Sequence, residues 1–88
     1  MTQNSGMTEY RVKSVHGYAL VAIPEFLHDR GKEYVLGFRL YREVDLVFVG
    51  TLTVRDAPES LLKCMERDGF RKARGKSAGV YKWWRKAL

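Results

Sequence analysis

Apolar and polar positions along this 88-residue chain change rhythm several times, and each change predicts an element. Residues 9–15 (EYRVKSV) set Tyr10 and Val12 on one side and Arg11 and Lys13 on the other, the period-two pattern of a half-buried strand. His16-Gly17 predicts a turn, and residues 18–23 (YALVAI) a second strand that closes a hairpin. Pro24 is expected to end that strand, because proline donates no ladder hydrogen bond. Residues 24–32 then read as a loop closed by Gly31. Residues 33–42 alternate again, with Leu36, Phe38 and Leu40 on one face and Val35, Arg39 and Tyr41 on the other. Residues 46–55 place Leu46, Phe48, Leu52 and Val54 opposite Val47, Val49, Thr51 and Thr53, with the β-branched content of a central strand.

Period two then gives way to period 3.6. Asp56-Ala57-Pro58-Glu59 predicts a helix start, with Asp56 as N-cap, Pro58 in the first turn and Glu59 completing a capping box. Leu61, Leu62 and Met65 form the apolar stripe, Gly69 the stop, and Phe70 packs back under the helix end. Residues 71–77 (RKARGKS) read as a basic connector. Residues 78–88 read as a last strand, in which Tyr81, Trp83 and Arg85 alternate with Val80, Lys82, Trp84 and Lys86. The order β-β-β-β-α-β predicts a single small α+β domain over residues 9–88. A mainly antiparallel sheet of about five strands carries one helix, with a small SH3-like barrel as the second choice. Residues 1–8 read as a disordered tail.

Charge changes this picture most. The net charge of +6 is unevenly spread: residues 1–68 hold 9 basic and 10 acidic residues, whereas residues 69–88 hold 7 basic residues and no acidic one. A segregated positive segment points to a polyanion. Arg71, Lys72, Arg74 and Lys76 are expected to contact phosphates from the connector, and Lys82, Arg85 and Lys86 to extend that surface along the last strand. Trp83 or Trp84 would stack on bases, as aromatic residues among cations do in proteins that bind single strands. The expected activity is therefore binding of nucleic acid, DNA or RNA. The alternative is a protein-interaction module: a small regulator, inhibitor or assembly subunit that docks on an acidic protein surface or forms a homodimer. Its support is the apolar outer sheet face formed by Val35, Tyr41, Val47 and Val49.

Composition removes other classes. One cysteine, Cys64, allows no internal disulfide framework and no Cys-based zinc site. His16 and His28 fit no metal-ligand spacing, so no metal and no cofactor is expected. Gly75-Lys76-Ser77 matches only the end of a phosphate-binding loop and lies in a helix-to-strand context, the reverse of what that loop requires. Neither a nucleophile elbow nor a Cys-x-x-Cys pair is present, and the chain reads as non-enzymatic. The longest apolar-rich run, Leu46 to Val54, is nine residues, against about 20 for a membrane helix. With no apolar leader at residues 1–7, a cytoplasmic location is expected and no membrane association.

Residues 54–66 (VRDAPESLLKCME) resemble the strand-to-helix junction of the small archaeal chromatin proteins, in which an Asp-Ala-Pro helix start follows an SH3-like barrel. That resemblance covers 13 residues and implies a barrel and duplex-DNA binding. The chain departs from the family in carrying its excess charge after the helix, so no binding residue is transferred.

Overall fold

A computed structural model of the chain describes residues 8–73 and 83–87. Residues 1–7 of the expected N-terminal tail and most of the basic connector lie outside them. Among the described residues, six strands and one helix follow in the order β1 (Tyr10–Lys13), β2 (Ala19–Asp29), β3 (Lys32–Arg42), β4 (Phe48–Leu52), α1 (Glu59–Arg67), β5 (Arg71–Lys72) and β6 (Trp83–Lys86). All pairings are antiparallel, and the sheet runs β1-β2-β3-β6-β5 with β4 added on β3. The α+β class and the single helix agree with the sequence pattern.

The first hairpin forms where alternation places it. Ser14 accepts two backbone N–H groups, from His16 at 3.3 Å and Tyr18 at 3.0 Å, and this closes the turn around Gly17. Pro24, however, does not end β2. Its strand continues to Asp29, with Pro24 opposite Phe38. The reason is that β1 ends opposite Ala22, so beyond it β2 has a single neighbour, and proline is tolerated on such an edge. The expected loop at residues 24–32 is instead the second half of a long hairpin. It closes on Arg30-Gly31, both at positive φ (49° and 79°), with Asp29 paired to Lys32. Two positive φ values in a two-residue connection define a turn whose twist matches that of the strands.

Strand β3 is the spine of the sheet. One edge pairs with β2. The other pairs with β6 through Lys32–Val35 and with β4 through Phe38–Tyr41. The change of partner coincides with a bulge. Glu25 lies opposite Gly37 and Phe26 opposite Val35, so Leu36 has no partner. One extra residue reverses the alternation. Val35 and Phe38 therefore both enter the core, at 5% and 0% exposure, while Leu36 is 61% exposed. This corrects the expected faces of Val35 and Leu36. Gly37 sits at the crossing, where a β-carbon would lie 3.0 Å from the Leu52 carbonyl oxygen. A second bulge, at Val49, lets Phe48 pair with Tyr41 and turns Phe48 outward, not into the core. Edge strand β4 stops at Leu52, short of Arg55.

Helix α1 buries Leu61 and Met65 and half-buries Leu62, as its stripe predicts. Its start differs from expectation. Pro58 is the N-cap and supplies no side-chain hydrogen bond. Asp56 accepts a hydrogen bond from the Thr53 hydroxyl at 3.0 Å, in the turn before the helix. The capping box is not made because that turn uses its carboxylate. The end is as predicted. Gly69 (φ 94°) donates to the Glu66 carbonyl and Phe70 to the Met65 carbonyl, each at 3.0 Å. This is the paired closure that a left-handed glycine permits, and it places Phe70 and Met65 together in the core. Tyr10 on β1 donates to the Asp68 carboxylate at 2.7 Å, which ties the helix end to the sheet. Burial first, then that hydrogen bond, pushes the Tyr10 phenol well above its ordinary range. The core joins Tyr10, Ala22, Val35, Phe38, Val54, Leu61, Met65, Phe70 and Trp83.

Candidate nucleic-acid interface

Alternation along β6 divides the basic, aromatic C-terminal segment between two faces. Trp83 lies opposite Val35, is 6% exposed and belongs to the core. Trp84 lies opposite Tyr34 on one side and Arg71 of β5 on the other, and both Trp84 and Tyr34 are half-buried on the outer face. Antiparallel partners share a face, so a row crosses four strands in the order Leu27, Tyr34, Trp84, Arg71. One step along, Lys32 lies opposite Lys86 on the same face.

Arg85 has the chemistry of a phosphate contact and the position of a structural group. Its Nε donates to the Glu33 carboxylate at 3.1 Å, with the two side chains 23% and 15% exposed. Its guanidinium lies 4.4 Å from the Phe70 ring centre and reaches the Asp68 carbonyl at 3.4 Å. Strand β5 was expected as part of a loop. Arg71 and Lys72 instead pair with Trp84 and Trp83, which fixes Arg71 beside the half-buried Trp84 ring.

Two further cations come from the nearly neutral part of the chain. The tight turn between β2 and β3 brings Arg30 and Lys32 against the end of β6, held by the Ala87 N–H donating to the Gly31 carbonyl at 2.7 Å. Lys32 Nζ lies 4.6 Å from the centre of the Trp84 ring, within cation–π reach. An open concavity of about 550 Å³ results, lined by Arg30, Lys32, Arg71, Trp84, Arg85 and Lys86. Among the described residues, Arg30, Lys32, Arg71 and Lys86 make no ion pair. Asp29 at the turn makes none either among the described residues.

Of the nine residues singled out from the sequence, Arg71, Trp84 and Lys86 share this surface. Trp83 and Arg85 serve the fold, although Arg85 also borders the concavity. Lys72 lies opposite Trp83, on the other face of the sheet from Trp84, and does not line the concavity. Arg74, Lys76 and Lys82 lie outside the described residues. Arg30 and Lys32 were missed, and the signal for them was the Asp-Arg-Gly-Lys turn itself. No helix among the described residues is long and apolar enough to cross a membrane. Compared with known proteins, the chain matches no family, no curated sequence and no solved structure. The resemblance of residues 54–66 to chromatin proteins thus gains no support, and the site is read from its own chemistry.

Proposed function

We infer that this chain is a non-catalytic binding protein for single-stranded nucleic acid, engaged through the outer face of β3, β6 and β5. One observation carries the reading: Trp84 is the half-exposed member of a tryptophan pair and is ringed by Lys32, Lys86, Arg71 and Arg30, none of them neutralised by a carboxylate among the described residues. A flat ring among cations offers a base a stacking surface and its phosphates a counter-charge. Lys32 occupies the ring face in the free protein. On binding, a base takes that place and the ammonium moves to a neighbouring phosphate. Duplex DNA keeps its bases stacked inside and offers Trp84 nothing equivalent. An acidic protein surface would satisfy the cations and leave the ring without a partner.

The test is a titration with labelled single-stranded and duplex oligonucleotides at about 50 and 200 mM salt. Four phosphate contacts on a single strand predict a loss of about 50-fold in affinity between those salts, with the single strand preferred at both. Affinity that is independent of salt, or equal for acidic peptide and oligonucleotide, overturns the reading.

A further inference from the structure

A second aromatic ring stands beside the first on the outer face. Tyr34 of β3 is half-buried and lies directly opposite Trp84 of β6. It is no part of the core and does not pack against it. Although the two residues are register partners, their rings make no contact with each other. The Tyr34 hydroxyl makes no hydrogen bond among the described residues, whereas a phenol withdrawn from water usually finds a partner. Its surroundings are apolar: Leu27 lies opposite it on β2 and Leu36 two positions along β3, 52% and 61% exposed. Lys32 stands two positions the other way on β3, with its ammonium over the Trp84 ring.

We propose that Tyr34 is a second stacking platform, so that the site takes two successive nucleotides of an unstacked single strand crossing from β6 to β3. The proposal rests on the reading of Trp84 as the first platform. Neither ring occupies the other, so each can accept a base of its own. Neighbouring strands of a sheet stand about 4.8 Å apart, more than the ~3.4 Å repeat of a stacked nucleic-acid strand. Bases on the two rings are therefore held apart and not stacked on one another. Lys32 lies at the junction of the two platforms, where the phosphate joining the nucleotides passes. Around Tyr34, Leu27 and Leu36 suit the flat face of a base and give a phosphate nothing to pair with. The unpartnered hydroxyl offers a hydrogen bond to the base edge or the sugar. A lone indole among cations would hold one nucleotide of any strand. The paired rings select a strand with two adjacent bases free.

The test uses labelled oligonucleotides of about eight positions, all abasic except for one thymine or for two adjacent thymines, titrated into the full chain at about 50 mM salt. The second thymine should raise the affinity of the wild type roughly five- to 150-fold. Tyr34→Ala should bind the one-thymine strand as the wild type does and gain only about twofold from the second thymine, the factor that two registers alone supply. Tyr34→Phe, which keeps the ring, should keep most of the gain. Far-UV circular dichroism checks that each variant is folded, and Tyr34→Leu replaces Tyr34→Ala if the latter is not. A wild-type chain that gains no more than about twofold overturns the proposal and leaves Trp84 as a lone platform. So does a folded Tyr34→Ala or Tyr34→Leu variant that keeps the full gain. One-thymine affinity that Trp84→Ala leaves unchanged removes the first platform, and the second falls with it.

Discussion

The two faces of β6 hold nearly the same chemistry in different employment. Trp83 and Arg85 face inward, and Trp84 and Lys86 face outward. Inside, the indole fills the core and the guanidinium is held between the Glu33 carboxylate and the Phe70 ring. Outside, the indole lies half-open beneath an ammonium, and Lys86 makes no ion pair among the described residues. An aromatic–aromatic–basic–basic string does not by itself mark a binding segment. The pleat decides which half of it is available.

The largest test of that division is Trp83→Ala. Emptying a core position of this size should cost about 3–5 kcal/mol, read as a shift in the urea midpoint. A shift under about 1 kcal/mol would mean that Trp83 does not fill the core. Trp84→Ala should act the other way round. Its stability should change little, and its affinity for a single strand should fall by about 1–3 kcal/mol, roughly five- to 150-fold. If Trp84→Ala unfolds the chain, or binds as tightly as wild type, the outer face is not the stacking surface.

These assignments show where the sequence is legible. Helix α1 could be read to its last turn, because its stripe, its glycine stop and Phe70 are local signals. Strand β1 could be read from alternation alone. The faces of Val35 and Leu36 could not, since the bulge that exchanges them is fixed by the neighbouring strand and not by their own spacing. Pro24 misled for a related reason. Its cost depends on whether β1 reaches that far, and β1 stops two residues short. At the candidate site Arg71, Trp84 and Lys86 were visible as a basic segment. Lys32 was not, because only the pairing of β3 with β6 brings it opposite Lys86, 54 positions along the chain.

The smallest comparison is between the two cations. Arg85→Ala should cost about 2 kcal/mol of stability through the loss of a shielded, charged hydrogen bond, leaving Glu33 without its partner. Lys86→Ala should leave the urea midpoint unchanged and lower the slope of log affinity against log salt by about 0.7, one phosphate contact. Equal effects of the two changes on stability would erase the distinction between the faces.

The turn at Arg30 has a consequence of its own. Its φ of 49° is a conformation that asparagine and glycine adopt with less strain than a long side chain. An arginine there places a guanidinium at the rim of the concavity at a cost of about 1 kcal/mol in folding. Durability and recognition are therefore opposed at this residue. Arg30→Asn should raise the melting temperature and loosen the hold on a single strand together, a stability–activity trade-off confined to one hairpin. Selection for heat resistance alone should remove Arg30 first, and calorimetry beside a binding isotherm on that one variant measures how the chain balances the two.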